Sequence, residues 1–240
     1  MKPIRKAVIP AAGFGTRFLP FTKAVPKELV PVVDKPVIQY VLEEAAASGI
    51  TEAAVIVSDG KDAIRHHFAP VPALYERLRH DGKNDLLESL ESIDGLMHLT
   101  YITQTELKGL GDAVLRAEEF VGDEPFAILL GDTVTTSSCG IPVTRQLIDA
   151  AMRADGSVTA LERVPKALTK RYGVIDGTDE GDGLFRVKTF VEKPAPEEAP
   201  SNLAIASRYT VKKIIIIRFN IVFFTIFQIP FHDIFCLCRR

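Results

Sequence analysis

Cysteine is scarce in this chain of 240 residues: only Cys139, Cys236 and Cys238 are present. Three thiols, two of them in the last five residues, argue against a disulfide framework and fit a reducing compartment. An excess of charge is missing too. With 29 Lys and Arg against 31 Asp and Glu, the formal net charge is -2. No global field then draws the chain to nucleic acid or to an anionic membrane, so any phosphate binding has to be local. Long apolar runs are absent as well. The longest candidate is the 13 uncharged residues between Arg218 and His232, against the ~20 that a membrane span needs. The basic N-terminus is followed by "AVIPAAGFG", too short and too broken by Pro and Gly for the core of a signal peptide. The main body therefore reads as cytoplasmic. No internal repeat is visible.

What is present is ordinary globular material, 47% hydrophobic and 25% charged. The length favours one domain with a sizeable core. "KAVIP", "EAAVIVS", "LMHLTYIT", "PFAILLGD" and "SVTALERV" are short apolar runs that predict buried strands. Between them, "KPVIQYVLEEAAASG", "KDAIRHHF", "ALYERLRHDGKNDLLESLESI" (interrupted near Gly82), "GDAVLRAEEFV" and "PVTRQLIDAAMRADG" predict helices. "YGVID" and "LFRVKTFVEKP" read as two more strands around a Gly/Asp turn. The alternation predicts an α/β fold, doubly wound around a mostly parallel, Rossmann-like sheet. Ligands of such folds sit beyond the carboxyl ends of the strands. Gly13 to Arg17, Asp132 and Gln104 fall at such ends.

The loop after the first strand, "AAGFGTRFLPFTKAVPKELVPVVDKP", combines Gly13 and Gly15 with Arg17, Lys23 and Lys27. Glycines let backbone N–H groups approach an anion, Arg offers a planar fork to phosphate oxygens, and Lys supplies a point charge. The loop lacks the Gly-Lys-Ser/Thr ending of a P-loop and the third glycine of a dinucleotide fingerprint. Taken alone, it is equally a plain turn with solvated cations. His66 and His67 are neighbours rather than i, i+4 partners, so they are poor metal ligands. Cys139 has no paired Cys and no convincing His near it in sequence, and reads as inert.

The longer string Ala11–Ala45 resembles the start of the bacterial UTP–glucose-1-phosphate uridylyltransferases, within the sugar-nucleotide pyrophosphorylases, a nucleotidyltransferase family. "QTELKGLGDAVL", "LLGD", "RYGVID", "FVEKP" and "APSNLAIASRY" resemble the same enzymes in the same order, to about Val211. The resemblance implies a nucleotidyltransferase-type fold that joins UTP and glucose 1-phosphate into UDP-glucose, releasing pyrophosphate, with Mg²⁺ as cofactor. It implies that backbone at Ala11, Ala12, Gly13 and Gly15 borders the nucleotide. Arg17 and Lys27 would hold the triphosphate, Gln104 would read the uracil edge and Gly109 would give close backbone contact. Asp132 would bind the metal. Gly173 would face the sugar, Glu192 would bind its hydroxyls and Lys193 its phosphate. By residue type alone, Asp132 could instead cap a turn, and Gln104, Glu192 and Lys193 could be solvated strand ends. Gly131 stands where this subgroup usually carries Pro, as it does in related sugar nucleotidyltransferases. A dTTP- or other NTP-using enzyme is therefore the alternative.

From Lys212 the resemblance stops. The last 29 residues hold eight Ile and six of the 14 Phe, while the body is rich in Ala, Gly, Val, Arg and Pro. This break predicts a division into a nucleotidyltransferase domain over 1–211, incomplete at its C-terminal end, and an unrelated tail over 212–240. The family's further metal-binding acid and its subunit contacts are expected to be missing. A homo-oligomer is then doubtful, and a catalytically impaired, nucleotide-binding remnant is a second expectation. A membrane tether is barely supported, a buried strand pair is a second reading of the tail, and the composition break makes a genetic junction near Lys212 a third.

Overall fold

The computed structural model describes residues 1–214, 224–228 and 234–236. In chain order the elements are β1 (Lys6–Pro10), β2 (Pro31–Val32), β3 (Lys35–Pro36), α1 (Val37–Ala47), β4 (Glu52–Val57), α2 (Asp62–His67), α3 (Pro72–His80), α4 (Asn84–Asp94) and β5 (His98–Thr103). There follow α5 (Leu110–Leu115), α6 (Glu118–Val121), β6 (Phe126–Leu129), β7 (Thr133–Thr135), α7 (Val143–Ala154), β8 (Ser157–Arg163), β9 (Gly173–Gly181), β10 (Leu184–Glu192), β11 (Leu203–Val211), β12 (Phe224–Gln228) and β13 (Ile234–Cys236).

Among the described residues nine strands form one sheet in the order β5-β4-β1-β6-β11-β8-β12-β10-β9. β5, β4, β1 and β6 pair in parallel. β11 runs against both β6 and β8, and β10 runs against both β12 and β9, while β12 is parallel to β8. Only β11 and β10 therefore oppose the common direction, and the mostly parallel sheet read from the sequence is present.

The strand side chains show why the sheet is wound on both faces. Ala7, Val8 and Ile9 are all fully buried, and successive side chains on a strand point to opposite faces. Ala7 and Ile9 pack in a cluster with Ile38 and Leu42 of α1 and Leu147 and Ala151 of α7. Val8 packs on the other face, with Val114 of α5, Val121 of α6 and Val211 of β11. A strand covered on both sides has no polar face to offer, hence the unbroken apolar run. A third cluster, with Leu161, Ile175, Phe185 and Val187, lies under the β9–β10 pair.

Helix α1 ends as its sequence predicts, with Gly49 at φ 90° just beyond it. Gly82, at φ 69°, separates α3 from α4. The stretch read as one helix, "GDAVLRAEEFV", is in fact two. Ala117 N–H bonds back to Val114 O, a tight three-residue closure, and fully buried Ala117 sits between α5 and α6.

In the Ile/Phe-rich tail, β12 joins the main sheet and β13 pairs with β7 instead of forming a hairpin with β12. Most of the uncharged stretch 219–231 lies outside the described residues, as does Cys238. Among the described residues no helix is long and apolar enough to cross a membrane.

Candidate active site

The chain leaves β1 for β4 and β5 on one side of the sheet, then returns to place β6 on the other side of β1. The crevice beyond the carboxyl ends of β1 and β6 is therefore a topological switch point, the usual place for a ligand in an open α/β sheet. A cleft of about 330 Å³ lies there, within the ordinary range for small-molecule sites. It gathers Ala12 and Gly13 after β1, Gln104 after β5, Asp132 after β6, Gly109 before α5, and Lys27 from the loop.

Each of these residues is held by local structure. Gln104 is almost fully buried, its N–H bonds to Val57 O at 2.7 Å, and its side-chain Nε2 donates to Asp112 Oδ2 at 2.7 Å. It is a fixed amide rather than a solvated strand end. Gly109 has φ 96°, a left-handed conformation that favours glycine at the entry to α5. Lys27 begins a short 3-10 turn, Lys27–Leu29, and its ammonium pairs with Asp132 Oδ2. Asp132 Oδ1 also accepts from Thr133 Oγ1 at 3.4 Å. Gly131 donates its N–H to Pro10 O, a bond that proline could not make, and a Cβ there would lie 3.2 Å from that same oxygen. The departure at Gly131 thus ties the start of the Asp132 loop to the end of β1.

Other residues singled out in the sequence fall outside the cleft lining. Ala11 is buried immediately before it, with its N–H on Ile56 O. Gly15 and exposed Arg17 lie further along the loop, around the turn Thr16–Phe18. Gly173 and Glu192 are register partners at the ends of β9 and β10. Lys193, at φ 49°, donates its N–H to Tyr172 O and its ammonium to Glu192 Oε1 at 2.6 Å. These three form a second group, with Glu192 and Lys193 exposed and Gly173 half-buried. His67 is a packing residue: it bonds Gln39 Oε1 at 3.0 Å and sits edge-on to Phe68, and burial lowers its pKa. Cys139 is exposed, and its Sγ lies 3.1 Å from Ser137 Oγ and accepts from Gln146 Nε2 at 3.5 Å.

The two loop glycines serve different purposes. Gly15 has φ 65°, and a Cβ there would meet Lys27 Cβ at 2.9 Å and Thr22 Cγ2 at 3.1 Å. A Cβ on Gly13 would meet only Lys27 Cε and Nζ, at 3.7 Å. Gly15→Ala is therefore expected to destabilise the fold by about 1–2 kcal/mol, and Gly13→Ala to be nearly neutral. Urea denaturation of the two variants measures the contrast; equal midpoints would remove the distinction.

Two buried charges behind the cleft carry no signal that the sequence reading used. Lys61 follows the turn after β4, and its nearly buried ammonium donates to Gly13 O at 2.8 Å, to Ala11 O, and to Glu28 Oε2 at 2.9 Å. Glu28 is fully buried beside Lys27. Burial raises the Glu28 carboxyl against the pull of Lys61 and Lys27, and burial lowers Lys61 against the pull of Glu28. The signal was there in part: a lysine directly after "SDG" at a strand end, and an acid directly after Lys27.

A second buried ion pair braces the far side of Asp132. Arg208, fully buried on β11, donates Nη2 to Glu44 Oε2 at 2.7 Å and to Thr133 O at 2.8 Å. Glu44 also accepts from Thr144 Oγ1 at 2.6 Å and Thr135 Oγ1 at 2.7 Å. Burial alone would raise the Glu44 carboxyl, but the guanidinium and the two hydroxyls bring it below its ordinary value.

The geometry has counterparts among known proteins. Residues 6–220 match the nucleotidyl transferase family. The chain is 48% identical over 209 residues to a UTP–glucose-1-phosphate uridylyltransferase of Bacillus subtilis, an overlap of 87% of this chain and 71% of that protein. The corresponding enzyme of Streptococcus pneumoniae is 50% identical over 209 residues, covering 86% and 70% of the two chains. A UDP-glucose pyrophosphorylase solved with UDP-glucose superposes with a TM-score of 0.81 at 37% identity, over 90% of this chain and 78% of that one. This chain belongs to the nucleotidyl transferase family, alongside relatives named as UTP–glucose-1-phosphate uridylyltransferases.

Proposed function

We propose that the chain transfers a uridylyl group from UTP to glucose 1-phosphate, giving UDP-glucose and pyrophosphate. The observation that carries this reading is the switch-point cleft. It brings open backbone, a fixed amide, an ammonium and a carboxylate together in a chain about half identical to named uridylyltransferases.

The residue types fit the chemistry. A phosphate oxygen of the sugar phosphate attacks the α-phosphorus of UTP. The new P–O bond forms as the bond to the β-phosphate bridge breaks, and pyrophosphate leaves with the electron pair. The nucleophile is already an oxyanion, so the protein needs no base to make it. Its work is to bring two polyanions together, in line, by positioning and by charge stabilisation. Backbone at Ala11, Ala12, Gly13 and Gly15 would border the nucleotide, with Gly109 opposite. Gln104, its Nε2 held by Asp112, would present its amide to the uracil edge. Lys27 and Arg17 would take the triphosphate. Gly173, Glu192 and Lys193, grouped at the β9–β10 ends, would receive the glucose 1-phosphate.

Magnesium fits the residues present. Asp132 offers a partly exposed carboxylate to the cleft. Among the described residues no group of three His, Cys, Asp or Glu could cage a metal. One protein carboxylate completed by substrate phosphates and water is the usual way of holding Mg²⁺. Asp132 would hold the ion, which supplies charge neutralisation on the phosphate oxygens. Lys27 would then exchange Asp132 for the triphosphate. Asp132→Asn is expected to weaken UTP binding about tenfold or more with Mg²⁺ and by much less without it. Paired calorimetric titrations check this; equal losses in both conditions would make Asp132 structural.

Base selection tests the reading as a whole. Titration with UTP, dTTP, ATP and GTP is expected to favour UTP. A preference for a purine nucleotide would contradict it.

A further inference from the structure

Lys61 does not line the cleft, yet it touches the loop that does. One ammonium bonds the carbonyl oxygens of Ala11 and Gly13, and the carboxylate of Glu28. We propose that Lys61, neutralised by Glu28, is a positioning residue that fixes the direction of the loop's N–H groups toward the nucleotide phosphates. This rests on the nucleotidyl-transfer reading of the cleft.

The geometry follows from the peptide plane. In a trans peptide the C=O of one residue and the N–H of the next point to opposite sides. With Ala11 C=O and Gly13 C=O both held on Lys61, the N–H groups of Ala12 and Phe14 face the other way. Two donors are thereby turned to one side of a loop whose Ala12 and Gly13 line the cleft. Without the ammonium, either peptide can flip and present a carbonyl oxygen to a phosphate, an interaction that repels.

Glu28 explains how a nearly buried cation is tolerated there. Its Oε2 takes Lys61 at 2.9 Å, while its Oε1 makes no hydrogen bond among the described residues and lies 3.9 Å from Lys27 Nζ. The buried carboxylate thus stands between the lysine behind the loop and the lysine in the cleft. Removing Lys61 alone would leave Glu28 as a buried charge with a much weaker partner, which is costly for folding. Removing both charges would relieve that cost but would not restore the hold on the two carbonyls. Stability and nucleotide binding should therefore separate.

Lys61→Met, Glu28→Gln and the double variant form the test, each assayed by thermal melting, UTP titration and pyrophosphate release. Lys61→Met is expected to melt early and to bind UTP about tenfold or more weakly. The double variant is expected to regain much of the melting temperature while UTP binding stays about tenfold down. At saturating UTP its kcat should lie near the wild-type value, with the loss confined to the UTP KM. In the ligand-free double variant, amide hydrogen exchange in residues 11–17 should rise about tenfold, with the other β1 and β4 amides unchanged. Glu28→Gln, which keeps every carbonyl bond of Lys61, should bind UTP within about threefold of wild type. If UTP affinity and loop protection return with stability in the double variant, Lys61 is only a structural cation and the proposal falls. A kcat loss at unchanged KM would overturn it equally. If Lys61→Met does not fold, the double variant and Glu28→Gln decide. A tenfold loss in Glu28→Gln would move the role from Lys61 to Glu28. Wild-type protein that fails to turn over UTP would sink the uridylyl reading instead, while loop exchange, measured without substrate, would still judge Lys61.

Discussion

Lys27→Ala is expected to lower turnover by about 10²–10³-fold, the loss typical of removing one stabilising contact to charge that develops in the transition state. Among the described residues Lys27 is the only lysine that lines the cleft, and its carboxylate partner Asp132 lies in the same cleft. Its ammonium lies in the cleft proposed for the nucleotide and is partly buried there, so that a charge counts for more than in bulk solvent. The fold should survive, because Lys27 lies on a loop turn and not in a core cluster. The melting midpoint should shift by about 2–4 °C, corresponding to about 1 kcal/mol in a chain of this size. Steady-state kinetics with a parallel melt separates the two effects. Near-normal turnover in Lys27→Ala would remove the triphosphate role.

Arg208→Met should do the reverse, costing the fold about 3–5 kcal/mol, because it leaves a buried carboxylate without its cation. The pair joins α1 to β11 and, through Thr133 O, to the strand after Asp132. Acid should narrow the deficit. The folded-state pKa of Glu44 lies below its ordinary 4.5. The pair's stabilisation is therefore fully present above that value and is lost as pH falls through the lower folded pKa. In Arg208→Met the buried carboxyl loses its main stabiliser and should protonate more readily. Urea denaturation of both proteins between pH 7 and pH 4 should show the gap closing toward the acid end. A gap that stays constant with pH would mean that Glu44 does not depend on Arg208.

These two predictions mark how much of the protein could be read from its residues. β1, β4, β6 and β8 were visible as apolar runs because strands covered on both faces need no polar alternation, whereas β5, also read from its apolar residues, is a half-buried edge strand. Gly13, Gln104 and Asp132 were visible as residues at strand ends and Lys27 as a cation of the loop after β1, and the switch between β1 and β6 brings them together. The insertion of β11 between β6 and β8 was not visible, since nothing local in "LAIASRYTV" names its neighbours. Lys61, Glu28, Glu44 and Arg208 were missed for a shared reason. A lone charge in sequence reads as a solvated one, and only a partner far along the chain makes its burial tolerable. Glu44 and Arg208 are 164 residues apart, and Lys61 and Glu28 are 33. The split of "GDAVLRAEEFV" was hidden too, because its residue types suit a continuous helix and only the packing of Ala117 interrupts it.

The most direct measurement follows UTP and glucose 1-phosphate by ³¹P NMR in the presence of the purified 240-residue chain and Mg²⁺. The account predicts that UDP-glucose and pyrophosphate appear together, one for one, and that dTTP in place of UTP gives slower conversion. UTP that binds in the cleft yet remains intact beside glucose 1-phosphate would contradict it.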